Sequence, residues 1–505
     1  MDELLAALLR ATSEIRSRCN QDTPTPTHGT TTVSSCGRAI TSLLARQATH
    51  ILALHRPATP PTPPDVAFLR RRLADLLALA DARFLAFRFE ILPPCWRELY
   101  VYVRILSFHL SVLRSRVGAD VRGAEASGEV DGLVKELDMA LIVAGGGSRW
   151  ARRVVDELLE LLECAWEGGT PSLCEDGGRG AKRVKLTHAE TSWEDLDALP
   201  EGAVFESPWD NSPSFSKETV FKPPVTNPIP RLDNIPMDTF QAYIDPSTNP
   251  HGVFPTIFTD LTSTWPALTT HPWSKPAYLL SRTFGGRRYV PVELGRSYVD
   301  AGWSQKLLPF RTFLSSYIDP SLPSVSPAPA DQRTGYLAQH DLFTQIPALR
   351  SDVLLPDYLW TTPPPHPIPG KAKERVPAPQ LNAWLGPAGT ITPLHTDAMH
   401  NLLCQVVGRK YVRLYPPECA AMCPRGVEGG VDMGNTSRVD VGVVEGWDET
   451  PEEGPDISAA EAEAVRGTEF WDCVLEPGDT LYIPIGWWHY VRSLSVSFSV
   501  SFWWN

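Results

Sequence analysis

No Cys-x-x-Cys pair occurs in this 505-residue chain. Its nine cysteines are scattered, and no second Cys/His pair stands beside Cys419 and Cys423, the nearest two, to complete a zinc site. The plain reading is free thiols in a reducing compartment. Met1-Asp2-Glu3-Leu4-Leu5 starts acidic and lacks a basic region followed by a long apolar run, which predicts no secretory signal. Charges interrupt every candidate membrane span, so a soluble, intracellular protein with no membrane partner is expected. Positive charge is also short. Lys and Arg number 46 against 59 Asp and Glu, a net charge of −13, so direct nucleic-acid binding is not expected. An acidic surface suits a basic peptide instead. With 43% hydrophobic residues, the chain can still bury a sizeable core.

The first third is helical in pattern. Leu69, Leu73, Leu76, Leu77, Ala80 and Phe84 fall on one helical face, with Asp65 after a proline pair where an N-cap would sit. Val154, Val155, Leu158, Leu161, Leu162 and Trp166 form a second face, ending at Gly168-Gly169. Similar segments lie near 3–16, 40–55, 95–116 and 131–144, separated by Pro/Thr-rich stretches at 22–35 and 57–64. These predict an all-α domain over 1–168, serving either as a scaffold for a protein partner or as a stabilising appendage. Over 169–225 periodicity gives way to Gly, Ser, Pro and acidic residues, which predicts a flexible linker. Inside it, Ala181-Lys182-Arg183-Val184-Lys185-Leu186 reads either as a solvated charge run or as an import signal. Its resemblance to monopartite import signals favours the nucleus, with the cytoplasm as a second compartment.

From 226 to 505 the composition turns to Pro, aromatic and β-branched residues. Extended runs appear at 288–293, 410–415, 480–484 and 495–502, the last alternating as a half-buried strand does, serine out and apolar in. Helical interludes are expected near 303–318 and 340–350. Short antiparallel strands of this kind predict a barrel or jelly roll, the architecture that includes the cupins. Residues 424–468, rich in Gly and acids, read as a long insertion loop.

Two segments in this half carry chemistry. Thr392-Pro393-Leu394-His395-Thr396-Asp397 places a histidine and a carboxylate two residues apart, on one face of a strand. A lone His-x-Asp occurs about once by chance in such a composition and is usually a surface pair. The second segment adds specificity: Glu476-Pro477-Gly478-Asp479 reads as a tight turn, and the apolar strand after it delivers His489 beside Trp487 and Trp488. His489 alone would read as a buried structural histidine. Together, two histidines and a carboxylate are the parts of a facial iron(II) site that leaves three positions open.

The region from Pro230 to Asn505 resembles the Jumonji C (JmjC) 2-oxoglutarate oxygenases, and within them the lysine demethylase 8 or arginyl hydroxylase group. The resemblance rests on Val290-Pro291-Val292-Glu293-Leu294-Gly295, Gly335-Tyr336-Leu337-Ala338-Gln339-His340 and Trp384-Leu385-Gly386-Pro387. It continues through residues 405–415, Asn435-Thr436-Ser437 and Ser499-Val500-Ser501-Phe502-Trp503-Trp504. It implies an α+β chain, the helical domain followed by a double-stranded β-helix with flanking helices. It also implies iron(II) held by His395, Asp397 and His489, with 2-oxoglutarate and O₂ as cosubstrates. Lys410 takes the place that binds the distal carboxylate, and Tyr336, Thr392 and Asn401 the places that donate further hydrogen bonds. Thr392 stands where a serine is common and keeps the hydroxyl. Without the resemblance, Lys410 would read as an ordinary turn residue.

By the same resemblance, Glu293 and Trp384 line the target pocket with Gln339 nearby. A carboxylate beside an aromatic wall suits a guanidinium, whereas a methyl-ammonium cage offers several aromatic faces. The alternative for Glu293 is a surface charge at a strand end. Three functions follow: a hydroxylase acting on arginine in a protein or peptide, an N-methyl-lysine demethylase of histone-like tails, and a non-enzymatic adaptor. An intact iron triad with Lys410 speaks against the last.

Overall fold

The computed structural model describes residues 1–20, 32–55, 63–87, 91–117, 124–167, 209, 211–219, 221–249, 252–300, 302–322, 334–428, 430–450 and 457–505. The basic cluster at 181–186 and most of the expected linker lie outside them. The described residues fall into two compact units, 1–167 with 287–289 and the remainder.

The first unit is helical: α1 (Asp2–Asn20), α2 (Arg38–Ala53), α3 (Pro63–Ala86), α4 (Pro94–Val117), α5 (Ala124–Ala144) and α6 (Arg149–Glu167). Apolar residues at three- and four-residue spacing are its core, among them Leu69, Leu73, Leu76 and Ala80 of α3. α3 starts at Pro63, where a missing N–H leaves nothing unsatisfied, so Asp65 lies in the first turn and not at the cap. In α6, Leu159 is buried while Trp166, read from the sequence as part of the buried face, is 41% exposed.

The second unit is built on two sheets. Its strands are β1 (Arg231–Leu232), β2 (Thr256–Phe258), β3 (Tyr289–Leu294), β4 (Ser304–Pro309) and β5 (Gly335–His340). Next come β6 (Gln380–Gly386), β7 (Ile391–Thr396), β8 (His400–Val407), β9 (Lys410–Tyr415), β10 (Val427–Glu428) and β11 (Val431–Asp432). β12 (Trp471–Leu475), β13 (Thr480–Ile483), β14 (Trp488–Ser493) and β15 (Ser497–Trp504) complete the series. The large sheet runs β1-β2-β13-β8-β15-β6-β5-β3-β4, and the small one β12-β9-β14-β7. Leu403, Leu481 and Ile483 of the large sheet share one buried cluster with Val412, Leu414 and Val491 of the small one, joining the two sheets of a double-stranded β-helix. Each such side chain contributes about 1.5–3 kcal/mol by leaving water. The α+β order expected from the sequence is the one observed.

Three local expectations are corrected. Residues 304–309 form β4 and not a helix, because helical geometry starts only past Pro309, whose ring fixes φ and removes a donor. The serines of β15 do not face water: Ser497, Ser499 and Ser501 are fully buried. Ser499 donates to Gln405 Oε1 at 2.8 Å, and Ser497 and Ser501 accept from Gln405 Nε2 and Trp384 Nε1. Both faces of this central strand are covered, so its polar face is satisfied internally.

The third correction concerns 424–468. Its described part folds into the β10–β11 hairpin and two short helices, Val441–Val444 and Ala459–Arg466, the latter opened by a Ser458/Glu461 capping box. Val439, Val441, Val444 and Val465 are buried against Tyr411 and Tyr490 on the outer face of the small sheet. Its acids answer arginines of the barrel. Glu445 takes Arg413 at 2.6 Å, Asp448 takes Arg492 at 2.8 Å, and Asp440 pairs with Arg296.

Candidate functional site

Two turns place the functional side chains. Gly408 holds φ +66° between β8 and β9, and a Cβ there would lie 1.8 Å from the Val496 carbonyl oxygen. This turn starts β9 at Lys410 with its side chain inside the barrel. The Glu476–Asp479 turn closes with Asp479 N–H donating to Glu476 O at 2.9 Å, Gly478 at φ +98°. It sends the chain through β13 to β14 and His489. Pairing of β14 with β7 puts His489 directly opposite His395.

The structure brings His395, Asp397 and His489 together. Their ligand atoms all lie within 4.8 Å of one another. His395 Nε2 is 3.7 Å from Asp397 Oδ1, and His489 Nε2 is 3.6 Å from Asp397 Oδ2. His395 Nδ1 lies 2.8 Å from the Pro393 carbonyl, and His489 Nδ1 lies 3.0 Å from the Trp487 carbonyl. A carbonyl only accepts, so both Nδ1 atoms carry the proton and both Nε2 lone pairs face Asp397. Burial, with His395 second, pushes the His489 basicity far down, keeping that ring neutral. Burial raises the Asp397 carboxyl, and Asp397 Oδ2 is buried without a hydrogen-bond partner. An orphaned carboxylate oxygen facing two imidazole lone pairs fits a divalent cation.

The same cavity, about 350 Å³ including its open mouth, extends to Tyr336, Trp384, Thr392, Asn401, Lys410 and Trp503. Lys410 is 1% exposed, and among the described residues no carboxylate pairs with it. Its ammonium donates to Tyr336 Oη at 3.3 Å, and burial pushes its pKa down to about 7. Burial likewise raises the Tyr336 phenol, which bonds to Thr392. Asn401 Oδ1 and Trp503 Nε1 are buried and unpartnered. One unanswered cation with a phenol, a hydroxyl and an indole N–H fits a small dianion beside the cation site, whereas the Asn401 carbonyl oxygen, an acceptor, calls for a donor.

The expected substrate residues are spread more widely. Trp384 lines the cavity, its ring centroid 6.2 Å from that of Tyr336. Glu293 does not line it, although it sits across β3–β5 from Tyr336. Burial raises the Glu293 carboxyl, which accepts from Trp303 Nε1 at 3.3 Å and from Gln305. Gln339 is exposed at φ +46°, where the β5–β6 register shifts, and is also outside the cavity wall. Sequence reasoning gave no role to Trp503 or Tyr298. The indole of Trp503 reaches the cavity because Trp503 pairs with Asn401 across β15–β8; the signal available was its place in a recognised block. Tyr298 Oη lies 3.3 Å from Thr436 Oγ1, and its charge environment includes both Asp397 and Glu293. No sequence signal marked it.

A family model described as a cupin-like domain matches residues 251–505, half of the chain. Lysine-specific demethylase 8 from Danio rerio is 41% identical over 289 residues, covering 56% of this chain and 60% of the relative. Jumonji C domain-containing protein 5 from Drosophila melanogaster is 39% identical over 278 residues, covering 55% and 60%. Lysine-specific demethylase JMJ30 from Arabidopsis thaliana is 40% identical over 259 residues, covering 50% of each chain. The chain thus spans between half and 60% of the length of these relatives.

Proposed function

This chain belongs to the cupin-like domain family, among its JmjC members, and on that premise we propose that it is an iron(II)- and 2-oxoglutarate-dependent oxygenase that hydroxylates a protein side chain, arginine first. The observation that carries the reading is one cavity holding the His395-Asp397-His489 cluster and a buried Lys410 that has no carboxylate partner among the described residues. In this reading His395, Asp397 and His489 hold the metal through Nε2, a carboxylate oxygen and Nε2 respectively. Lys410 and Tyr336 take the distal carboxylate of 2-oxoglutarate, with Thr392 supporting Tyr336, while Asn401 and Trp503 reach its remaining oxygens. Bound iron(II) with 2-oxoglutarate and O₂ supplies oxidation of an unactivated C–H bond, giving the alcohol, succinate and CO₂. The protein's share is orientation and exclusion of water: Trp384 and Tyr336 wall the cavity, and the carbonyls of Pro393 and Trp487 fix both imidazoles.

Arginine is favoured by Glu293, a half-buried carboxylate with Trp303 on one side and the Tyr336 strand on the other. A guanidinium accepts both bidentate pairing and ring stacking. Two of the relatives above are named as lysine-specific demethylases, which supports N-methyl-lysine as the second reading. Lys182-Arg183-Val184-Lys185 supports a nuclear location, and the helical unit a role in holding a protein partner. Incubation with iron(II), ascorbate, 2-oxoglutarate and a peptide pool, with His395→Ala as control, tests the reading by mass spectrometry. One added oxygen on arginine is the expected result. Loss of methylene from lysine with formaldehyde release would establish the demethylase, and succinate no higher than in the control would leave the adaptor.

A further inference from the structure

Within a chain of net charge −13, residues 371–375 read Lys-Ala-Lys-Glu-Arg, three cations against one anion. All five are exposed, and among the described residues none of Lys371, Lys373 and Arg375 has an ion pair. The segment is nevertheless held in place. Asn505 Nδ2 donates to the carbonyls of Lys373 and Glu374 at 3.3 and 3.0 Å, and Val376 N–H donates to Asn505 Oδ1 at 2.9 Å. On its other side, His366 packs against Gly486, whose N–H donates to the Asp397 carbonyl at 3.2 Å. His366 is joined to the segment in turn, Ile368 N–H donating to His366 Nδ1 at 3.0 Å and Lys371 N–H to the Ile368 carbonyl at 3.2 Å, and Asn505 follows two residues after Trp503, which lines the cavity. A fixed basic strap, unpaired among the described residues, is therefore tied to two segments that carry cavity residues, Trp503–Asn505 and, through Gly486, Asp397.

Resting on the oxygenase reading above, we propose that the strap Lys371–Arg375 is a docking strip for carboxylate side chains flanking the target residue of a peptide substrate. Glu293 offers the target its negative contact, and the strap offers the neighbouring residues a positive one. The preferred peptide is then dipolar: a cationic target with Asp or Glu beside it. Ordered backbone lowers the entropy lost on docking, and unpaired cations have no internal partner to give up.

Fluorescence anisotropy with the full chain tests this, using labelled peptides whose central arginine is flanked by two glutamates, two glutamines or two lysines. Glutamate flanks should bind about fivefold tighter than glutamine flanks at low salt, and lysine flanks more weakly than either. Lys371→Ser/Lys373→Ser/Arg375→Ser should erase that ranking, as should high salt, while leaving the melting temperature unchanged. An unchanged ranking in the triple variant would overturn the proposal. So would a variant whose sole defect is a higher KM for 2-oxoglutarate in peptide-free succinate formation, since the strap would then steer the free dicarboxylate. Repeating the binding series with norleucine in place of the central arginine separates the two readings. A ranking that survives there, with no oxygen added to any arginine peptide, keeps the strap and removes arginine as the target.

Discussion

The two ends of the cavity reach opposite electrostatic states by different means. At the metal end, backbone carbonyls orient both histidines, leaving one buried carboxylate without a cation. At the Lys410 end a lone ammonium is buried against a phenol, with no anion among the described residues. Each end holds a charge whose burial opposes folding, and each calls for a ligand of the opposite sign. The difference lies in what orients the polar groups: backbone carbonyls at the first end, and at the second the side-chain series from Lys410 through Tyr336 to Thr392, started by the turn at Gly408.

Removing the metal-end charge should break function most completely. Asp397→Ala is expected to lower turnover by roughly a thousandfold or more and abolish iron(II) binding, measured by succinate release and metal titration. Melting should not fall, because an orphaned carboxylate leaves with it. At the other end, Lys410→Met should weaken 2-oxoglutarate by roughly a hundredfold while iron binding persists. Calorimetry would show the ligand-free variant more stable by about 2 kcal/mol. A less stable Lys410→Met protein would show that Lys410 has an internal anionic partner.

The pH dependence sharpens the contrast. Lys410 has a folded pKa of about 7 against 10.5 for the free side chain. Between those values the unfolded chain binds the extra proton, so ligand-free stability should rise with pH from about 7 to 10.5, by a few kcal/mol at most. In the proposed function 2-oxoglutarate is held by the Lys410 ammonium, so its affinity should fall as pH rises above about 7. Melting curves and titration calorimetry across that window check both signs, and Lys410→Met should flatten them. The smallest effect is expected from Trp503→Phe, which removes an unpartnered N–H but keeps the ring. 2-Oxoglutarate should bind about three- to tenfold more weakly, with melting unchanged.

His395 and Asp397 were legible because they sit two residues apart, and a strand turns such pairs to one face. The helices of the first unit were legible because three- and four-residue apolar spacing is local. Where reading failed, the missing partner was distant in sequence. Ser497, Ser499 and Ser501 alternate like a solvent-facing edge, and nothing near them announces Gln405 and Trp384 as their partners. Residues 424–468 read as a long insertion loop, because Arg413, Arg492 and Arg296, which pair with several of its acids, stand elsewhere in the sequence.

The sequence alone determined which residue types could form the site, the order of the helical and β regions, and the family resemblance. Tertiary structure decided that His489 lies opposite His395, that Lys410 has Tyr336 as its neighbour, and that Trp503 enters the cavity while Glu293 and Gln339 stay outside its wall. These outcomes depend on which strands pair and in what register. Pairing is fixed by burial summed over both sheets, a property that no local stretch of residues carries.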